Sequence, residues 1–575
     1  MTVPRASANG ATSVPPKKVL IVGGVAGGAS AGARLRRLSE DVEITLFERG
    51  PYVSFANCGL PYAVSEVIND EAKLLVATPK KFKEWFNIDV QQMTEVTAIH
   101  RDSKTISIKN LATGEEREVP YDALLLAPGS AALKPPIPGI DLPGLFTMKT
   151  IPDMRLVKEW IKAKGVKSAV IVGGGFIGLE MAENLHHMGI SVKIVEMLTQ
   201  VMPPMDAEMI EPLHAHMRSK GVELALGDGV AGFEQRPGGG LTVKTASGAA
   251  HDADLVILAI GVRPETKLAK DAGLKLGKRG GIRVDDGMRT SDPSIYAVGD
   301  AVEVKDWVTG EHTLIPLAGP ANRQGRIAAN VMMGMEPGRF RGVQGTAVVG
   351  VMGMTLAQTG ASEKTLKRVG IPYQKVYTHA NNHAGYYPGA GAVDIKLLFS
   401  PADGKILGAQ AVGTVEGVEK RIDVVSMALQ FGASVYDLEE AELCYAPQYG
   451  SAKDAVNFTG MVAANFLRGD MPLANWDEDL DSIRADANNL IVDVRETGEF
   501  AKGAIEGAVN MPLSTLRENV GKLPKDKKLY VYCQVGMRGY LATRQMLLAD
   551  LNAVNVSGGF RSWQTQFKPI VAGKL

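Results

Sequence analysis

The 575-residue chain carries 63 basic and 63 acidic residues, is 45% apolar and 22% charged, and holds three cysteines. Zero net charge excludes a protein that holds nucleic acid or an anionic membrane by bulk electrostatics. Three cysteines cannot build a disulfide framework and point to a reducing interior, while the 64 glycines exceed the roughly 7% average and point to turns and phosphate loops.

In chain order, residues 1–17 are small, polar and proline-containing. They lack the apolar core of about 7–15 residues of a secretory signal, and no run reaches the roughly 18 apolar residues of a membrane span. They read as a disordered tail on a cytoplasmic protein. Lys18–Val22 is then a buried strand stopped by Gly23 and Gly24, Ala26–Leu38 a helix and Val42–Glu48 a second strand. The series recurs at Ser168–Val172, Gly173–Gly178, Leu179–Met188 and Val192–Glu196, an internal duplication about 150 residues apart. Apolar strands Leu124–Ala127 and Leu255–Ile260 run into Pro128-Gly129 and Gly261. From Gly342 to Phe466 the pattern changes to strands (Ile395–Phe399, Ile406–Val412) and a helix near Ile422–Phe431. A polar stretch, Arg468–Asp481, reads as a linker to a last unit of about 100 residues.

Glycine has a physical purpose where a strand turns sharply into a helix. Unpaired N–H groups and the helix dipole aim at a pyrophosphate, and side chains would block the approach. Gly173-Gly174-Gly175-Phe176-Ile177-Gly178 is a full GxGxxG, with acidic Glu196 ending the next strand. Gly23-Gly24-Val25-Ala26-Gly27-Gly28 has Val25 in place of the middle glycine, yet Glu48 ends its next strand. Two nucleotide sites are expected. No arginine occupies the ten residues after Glu196, which favours NADH and leaves NADPH open.

The run Thr290–Asp300, ending Ile295-Tyr296-Ala297-Val298-Gly299-Asp300, resembles the late FAD motif of two-dinucleotide flavoproteins. The resemblance implies an α/β fold with two Rossmann-like domains. FAD would be held by residues 18–149 and 271–341, and the nicotinamide nucleotide by the inserted 150–270. The cofactor-binding residues implied are Gly23, Gly24, Ala26, Gly27, Glu48, Arg49, Ala127, Gly129, Gly173, Gly175, Phe176, Ile177, Gly178, Glu180, Glu196, Gly261, Gly299, Asp300 and Ala318.

Cys58 sits in Ser54-Phe55-Ala56-Asn57-Cys58-Gly59-Leu60-Pro61-Tyr62, ten residues after Glu48, and position 63 is alanine, so no second cysteine follows at the spacing of glutathione reductase-like enzymes. A lone cysteine beside flavin uses an external sulfur or is oxidised by oxygen species. With the preceding glycine loop, this segment resembles the single-cysteine coenzyme A disulfide reductases, over about residues 18–466. That likeness implies a mixed disulfide between Cys58 and coenzyme A. Ser30, Arg34 and Arg37 would lie on the coenzyme A helix, with Ser54, Phe55 and Asn57 around the thiol and Lys453 as a further contact. Read without the likeness, Arg34 and Arg37 equally form a solvated helical face. It also implies a homodimer through an α+β domain, 342–466, whose Tyr387 and Tyr445 reach the partner's cysteine; interface packing is the alternative role for these tyrosines. Phe86 and Asn322 stand where the family can have lysine and histidine.

The segment from about Leu473, with the last domain set at 482–575 after a linker at 467–481, resembles a rhodanese domain. The signatures are Asp493-Val494-Arg495, Gly503–Asn510 and the loop Cys533-Gln534-Val535-Gly536-Met537-Arg538. Converging N–H groups and Arg538 would favour a thiolate at Cys533 and hold a persulfide. Cys444 matches no catalytic position and reads as structural. His186, His187, His214 and His216 read as solvated helix faces, and no metal site is expected. The expected activity is NADH-dependent, FAD-mediated reduction of coenzyme A persulfide, polysulfide or coenzyme A disulfide at Cys58, with sulfane sulfur handled by Cys533. An NADH oxidase or peroxidase cycling through a sulfenic acid, and a redox-sensing flavoprotein, are the alternatives.

Overall fold

A computed structural model describes residues 15–335 and 338–567, with side chains throughout except at positions 478 and 479. Most of the expected tail, positions 1–14, lies outside the described residues. Its expected end at 17 is too late, because Lys17 and Lys18 both donate backbone N–H groups to Asp122 Oδ2, at 2.9 and 2.8 Å. The chain forms two compact units.

The first unit takes in the residues up to Gly173, Asn184–Ile190 and Ala231–Val343. Its main sheet is parallel, in the order Ile295–Ala297, Ala123–Leu126, Lys18–Val22, Glu43–Phe47, Asp89–Gln91. Val19, Leu20 and Ile21 are fully buried there, as a strand covered on both faces requires. The Ala26–Leu38 and Ala318–Met332 helices cross closely through small residues: a Cβ on Gly325 would stand 2.3 Å from Gly27 O. Arg36, between the two arginines read as ligand contacts, is buried and donates to the carbonyls of Phe86, Ser39, Val42 and Asn87. Ser168–Val172, Leu255–Leu258 and Leu145–Phe146 pair in parallel in the same unit.

The second unit comprises Gly174–Glu183, Ser191–Val230 and the chain from Gln344 onward. Ser191–Glu196 pairs in parallel with Glu223–Leu226. An antiparallel sheet runs in the order Ala347–Val351, Met354–Gly360, Ile406–Gly413, Ala392–Phe399, Gln374–Asn381. Its helix is Val418–Gln430, four residues earlier than expected, because Gly417 with φ 79° starts it and buried Arg421 ties it to Asp454 at 2.7 Å. Two buried lysines project from this sheet. Lys396 Nζ lies 2.9 Å from Asp206, 2.5 Å from Glu208 and 2.6 Å from Glu363; Lys375 Nζ lies 3.0 Å from Glu363 and 2.6 Å from Asp477. The only group of three carboxylates among the described residues spaced for a metal, Asp206, Glu208 and Glu363, therefore closes on an ammonium.

The C-terminal sheet is parallel: Leu473–Ala474, Ala553–Val556, Lys528–Tyr532, Asn489–Asp493, Val509–Asn510. The stretch 467–481, read as a linker, instead carries the edge strand of this sheet and the start of the Trp476–Ala485 helix. Two residues of strand have no periodicity of their own; Asn555 and Val556 supply their register. His214, read as solvated, is buried, with Nδ1 2.9 Å from Glu211 and Nε2 accepting the Val201 N–H; His216 bonds the Met352 carbonyl at 2.9 Å. Among the described residues no helix is long and apolar enough to cross a membrane.

Candidate active site: two cysteines and two nucleotide loops

In the first loop, Gly23 has φ 91°, and a Cβ there would stand 2.1 Å from Ala127 O; one on Gly28 would stand 1.9 Å from Gly23 O. No other residue type fits. Glu48 folds back to brace the turn, accepting Gly24 N at 3.0 Å and Gly50 N at 2.8 Å. The Ala26–Leu38 helix has no side-chain cap and no acid in its first turn, so its N–H groups are left for an anionic ligand. The Ala318–Met332 helix likewise begins without a side-chain cap or acid, and Gly299 N donates to Gln324 Oε1 at 2.7 Å. Asp300 accepts from Ser130 Oγ at 2.7 Å, with Lys149 at 3.7 Å. Gly129, at φ 74°, has open space where a Cβ would be. This cradle fits a dinucleotide with a diphosphate. Arg49 is exposed and faces Glu265 only distantly, at 3.9 Å.

The second loop repeats the design. Gly173, at φ 106°, would place a Cβ 2.4 Å from Ala259 O, whereas Gly175 faces open space. Glu196 Oε2 accepts Gly174 N at 2.7 Å and Oε1 accepts Leu198 N at 2.8 Å. The Phe176–His187 helix follows, taking in Ile177, Gly178 and Glu180. Burial, with the neighbouring Glu183 second, pushes the Glu180 carboxyl up to about 7. Gly261, at φ 107°, accepts from Leu133 N at 3.0 Å.

Cys58 is exposed in the single 3₁₀ turn Asn57–Gly59, its N–H on Asn57 Oδ1 at 3.1 Å. The approach to it is held in place. Ser54 sits at φ 47° with its N–H on Gly24 O at 2.8 Å, and Phe55 bridges to Leu75. On the neighbouring helix face, Ser30 Oγ meets Asn322, and half-buried Arg34 donates to Asn330 Oδ1 at 2.8 Å. Arg37 is exposed. Burial, then the nearby Arg326 and Arg37, lowers the Arg34 guanidinium from its usual range. Arg326, absent from the sequence expectations, belongs to the same basic cluster; its place one helical turn after Asn322 is the signal that points to it.

In the second unit, Tyr387 stands edge-on to His383, with ring centres 5.6 Å apart, while the Tyr445 hydroxyl pairs with Tyr386 at 2.8 Å. Lys453 is exposed. Cys444, read as structural, is exposed in the single chain.

Cys533 is 1% exposed at the end of the Lys528–Tyr532 strand. Gly536, at φ 115°, turns the chain into the Met537–Leu547 helix and donates its N–H to Cys533 Sγ at 3.1 Å. Arg538 grips Glu499 through two bonds of 2.6 and 2.8 Å. Glu499, and secondarily Cys533, hold the guanidinium charged well above its usual range, and the Glu499 carboxyl drops to about 2, Arg538 being the main cause. Arg495, paired with Asp493 at 2.7 Å, reaches Gln534 at 3.3 Å and lies 4.1 Å over the Phe560 ring.

The model of the pyridine nucleotide-disulphide oxidoreductases matches residues 17–325, their dimerisation domain 346–455, and a rhodanese-like domain 477–566. The chain belongs to the pyridine nucleotide-disulphide oxidoreductase family and carries a fused rhodanese-like domain. It resembles the reduced Bacillus anthracis CoADR-RHD, at 47% identity over 96% of this chain and 98% of that one, TM-score 0.93. It also resembles a NAD-dependent persulfide reductase from A. fulgidus, at 36% identity over 95% and 100%, TM-score 0.87. Among curated relatives, a coenzyme A disulfide reductase of Staphylococcus haemolyticus is 34% identical over 78% of this chain and 99% of its own length. An NADH oxidase of Methanocaldococcus jannaschii is 38% identical over 75% and 95%.

Proposed function

We propose that this chain is an NADH-dependent, FAD-containing reductase of coenzyme A persulfide, polysulfide and coenzyme A disulfide, with Cys533 as a carrier of sulfane sulfur and hydrogen sulfide as a product. One observation carries the reading: an exposed single cysteine follows the first nucleotide loop, and the same chain holds a second, buried cysteine whose sulfur accepts the Gly536 N–H.

FAD, when bound, supplies the two-electron transfer from NADH to sulfur. The chain does the rest. The Cys58 thiolate attacks the coenzyme A-side sulfur of the persulfide; hydrosulfide leaves with the bond pair, and a Cys58–coenzyme A mixed disulfide remains. Two electrons and one proton then return the Cys58 thiolate and release coenzyme A thiol. With coenzyme A disulfide the leaving group is a coenzyme A thiolate, so both substrates meet at one mixed disulfide. Asn57, Ser54 and Phe55 line the approach to that sulfur, and Ser30, Arg34, Arg37, Asn322 and Lys453 are assigned to the coenzyme A moiety. The guanidinium fork suits its phosphates. Glu196 meets the ribose hydroxyls of NADH, and no arginine from 197 to 206 receives a 2′-phosphate.

The enzyme acts as a cytoplasmic homodimer, with Tyr387 and Tyr445 directed at the partner's cysteine. Their exposure in the single chain, 44% and 49%, supports that role.

The test is steady-state NADH oxidation with each acceptor. Wild type turns over persulfide and disulfide, and Cys58→Ser loses at least about 100-fold. Full persulfide reduction by Cys58→Ser overturns the mechanism. The kinship to an NADH oxidase favours a second reading, a sulfenic acid cycle at Cys58; NADH consumption with oxygen or peroxide but not with persulfide would establish it.

A further inference from the structure

The sulfur loop is braced from outside its own domain. Gly558 and Gly559, at φ 68° and 59°, form an elbow with no room on either side. A Cβ on Gly559 would stand 2.4 Å from Cys533 O; one on Gly558 would stand 1.9 Å from Ser562 Oγ and 2.9 Å from Tyr377 Cβ, on the antiparallel sheet. Past the elbow, the Gly559–Phe567 helix donates Phe560 N to Cys533 O at 2.8 Å and Arg561 N to Gln534 O at 3.0 Å. The first two carbonyls of the loop are thereby fixed.

That helix is itself tied to the sheet. Arg561 donates to Asp394 Oδ2 at 2.9 Å, Asp394 Oδ1 meets His379 Nδ1 at 2.7 Å, and His379 Nε2 lies 3.0 Å from Ser562 Oγ. Tyr377 N donates to Ser557 Oγ at 2.9 Å. Asp394, Ser557 and Ser562 are all buried. Burial alone would push the Asp394 carboxyl up, but His379 and Arg561 hold it below the ordinary value. A buried, fully partnered chain of this kind fixes orientation, because breaking one link leaves a desolvated charge.

We propose that Asp394 and His379, on the Ala392–Phe399 and Gln374–Asn381 strands, are positioning residues for sulfur transfer at Cys533. They hold Arg561 and Ser562, the helix holds the Cys533 and Gln534 carbonyls, and the Gly536 N–H thereby stays aimed at the sulfur. The proposal rests on the reading of Cys533 as a sulfur carrier. In the step concerned, the Cys533 thiolate attacks the outer sulfur of a donor such as thiosulfate. The donor S–S bond breaks with its pair leaving on sulfite, and the new S–S bond leaves Cys533 as a persulfide anion. Cyanide then removes that sulfur as thiocyanate and restores the thiolate.

The experiment uses the full-length flavoprotein and thiosulfate-to-cyanide transfer. Asp394→Asn lowers kcat at least about 10-fold, as sub-ångström misplacement does, with KM for thiosulfate within about twofold and NADH-dependent reduction at Cys58 unchanged. Adding Arg561→Gln, which replaces the ion pair by an amide pair, restores kcat to within about threefold. Ser562→Ala, a smaller change, lowers kcat about threefold at full thermal stability. Equal kcat in wild type, Asp394→Asn and Ser562→Ala overturns the proposal. So does a loss in Asp394→Asn that falls on kcat, KM and NADH reduction together and is not rescued, which marks general unfolding. A wild type whose Cys533 takes up no sulfur overturns the carrier reading itself, and the proposal with it.

Discussion

Cys58 and Cys533 stand in opposite surroundings. Cys58 is exposed in a three-residue turn, with the Asn57 side-chain oxygen 3.1 Å from its N–H and 3.9 Å from its sulfur. Cys533 is sealed at 1% exposure beneath a loop that donates an N–H to its sulfur at 3.1 Å. On the proposed function, the difference matches the size of what each would meet. A sulfur that exchanges disulfides with coenzyme A needs an open approach, since the attacking thiolate must line up with an S–S bond on a bulky partner. A sulfur that parks one extra atom as an anion needs donors and little else. On the proposed function, the chain would separate electron delivery from sulfur storage by giving each cysteine different surroundings.

The largest effects come from glycines that serve one cysteine and not the other. Gly28→Ala sets a Cβ 1.9 Å from Gly23 O and distorts the diphosphate turn. The purified chain is expected to lose FAD, measured as an absorbance ratio down at least about 10-fold, while thiosulfate transfer at Cys533 persists. Gly559→Ala sets a Cβ 2.4 Å from Cys533 O and should do the reverse. FAD stays bound, and sulfur transfer falls about 100-fold. If either change damages both branches equally, the two cysteines are not independently supported and the contrast fails.

Arg538 offers a finer cut. Its fork is held by Glu499, yet its charge also bears on Cys533. Arg538→Ala is expected to lower the rate of Cys533 persulfide formation about 10-fold, the loss of one charge-assisted contact, and to leave NADH oxidation with coenzyme A disulfide untouched. Rapid-quench labelling of the persulfide measures the first and absorbance at the nicotinamide band the second. An unchanged loading rate would assign stabilisation of the sulfur to the Gly536 N–H alone.

The settings of both cysteines, a turn after the first glycine loop and a strand end before a glycine-containing loop, were legible in the sequence because they are local. Lys18–Val22, Ala26–Leu38 and Ser168–Val172 have the same bounds in the structure as in the pattern; the two strands end on Gly23 and Gly173, which only a tight turn explains. What escaped depends on partners distant in the chain. Lys375 and Lys396 look like ordinary strand lysines until Asp206, Glu208, Glu363 and Asp477 arrive from three other segments. His214 gave no sign of burial, because its partners, Glu211 and Val201, matter only once the helix has packed. The brace behind Cys533 joins residues 379, 394 and 561, a juxtaposition that no spacing rule encodes. Motifs announce chemistry; the supports that aim it are tertiary.

The smallest expected effect tests whether pH separates the two cysteines as structure does. Glu180, two positions after Gly178 on the nicotinamide side, has its carboxyl raised to about 7 from an ordinary 4.5, burial first and Glu183 second. The native chain therefore favours the protonated form. Relative to the unfolded chain, that preference stabilises the fold fully below 4.5 and is lost as pH rises through 7. Glu180→Gln should thus gain stability over wild type at pH 8 but not at pH 4, read from paired thermal melts. Ionised Glu180 also opposes the anionic dinucleotide. Wild-type KM for NADH is expected to rise above pH 7 by up to about fivefold, the ~1 kcal/mol of a charge pair in water, and to stay flat in Glu180→Gln. Thiosulfate transfer at Cys533 should show no Glu180-dependent inflection. A shared inflection that Glu180→Gln abolishes in both assays would mean that the nucleotide loop and the sulfur loop answer to one proton, and the division between the two cysteines would have to be redrawn.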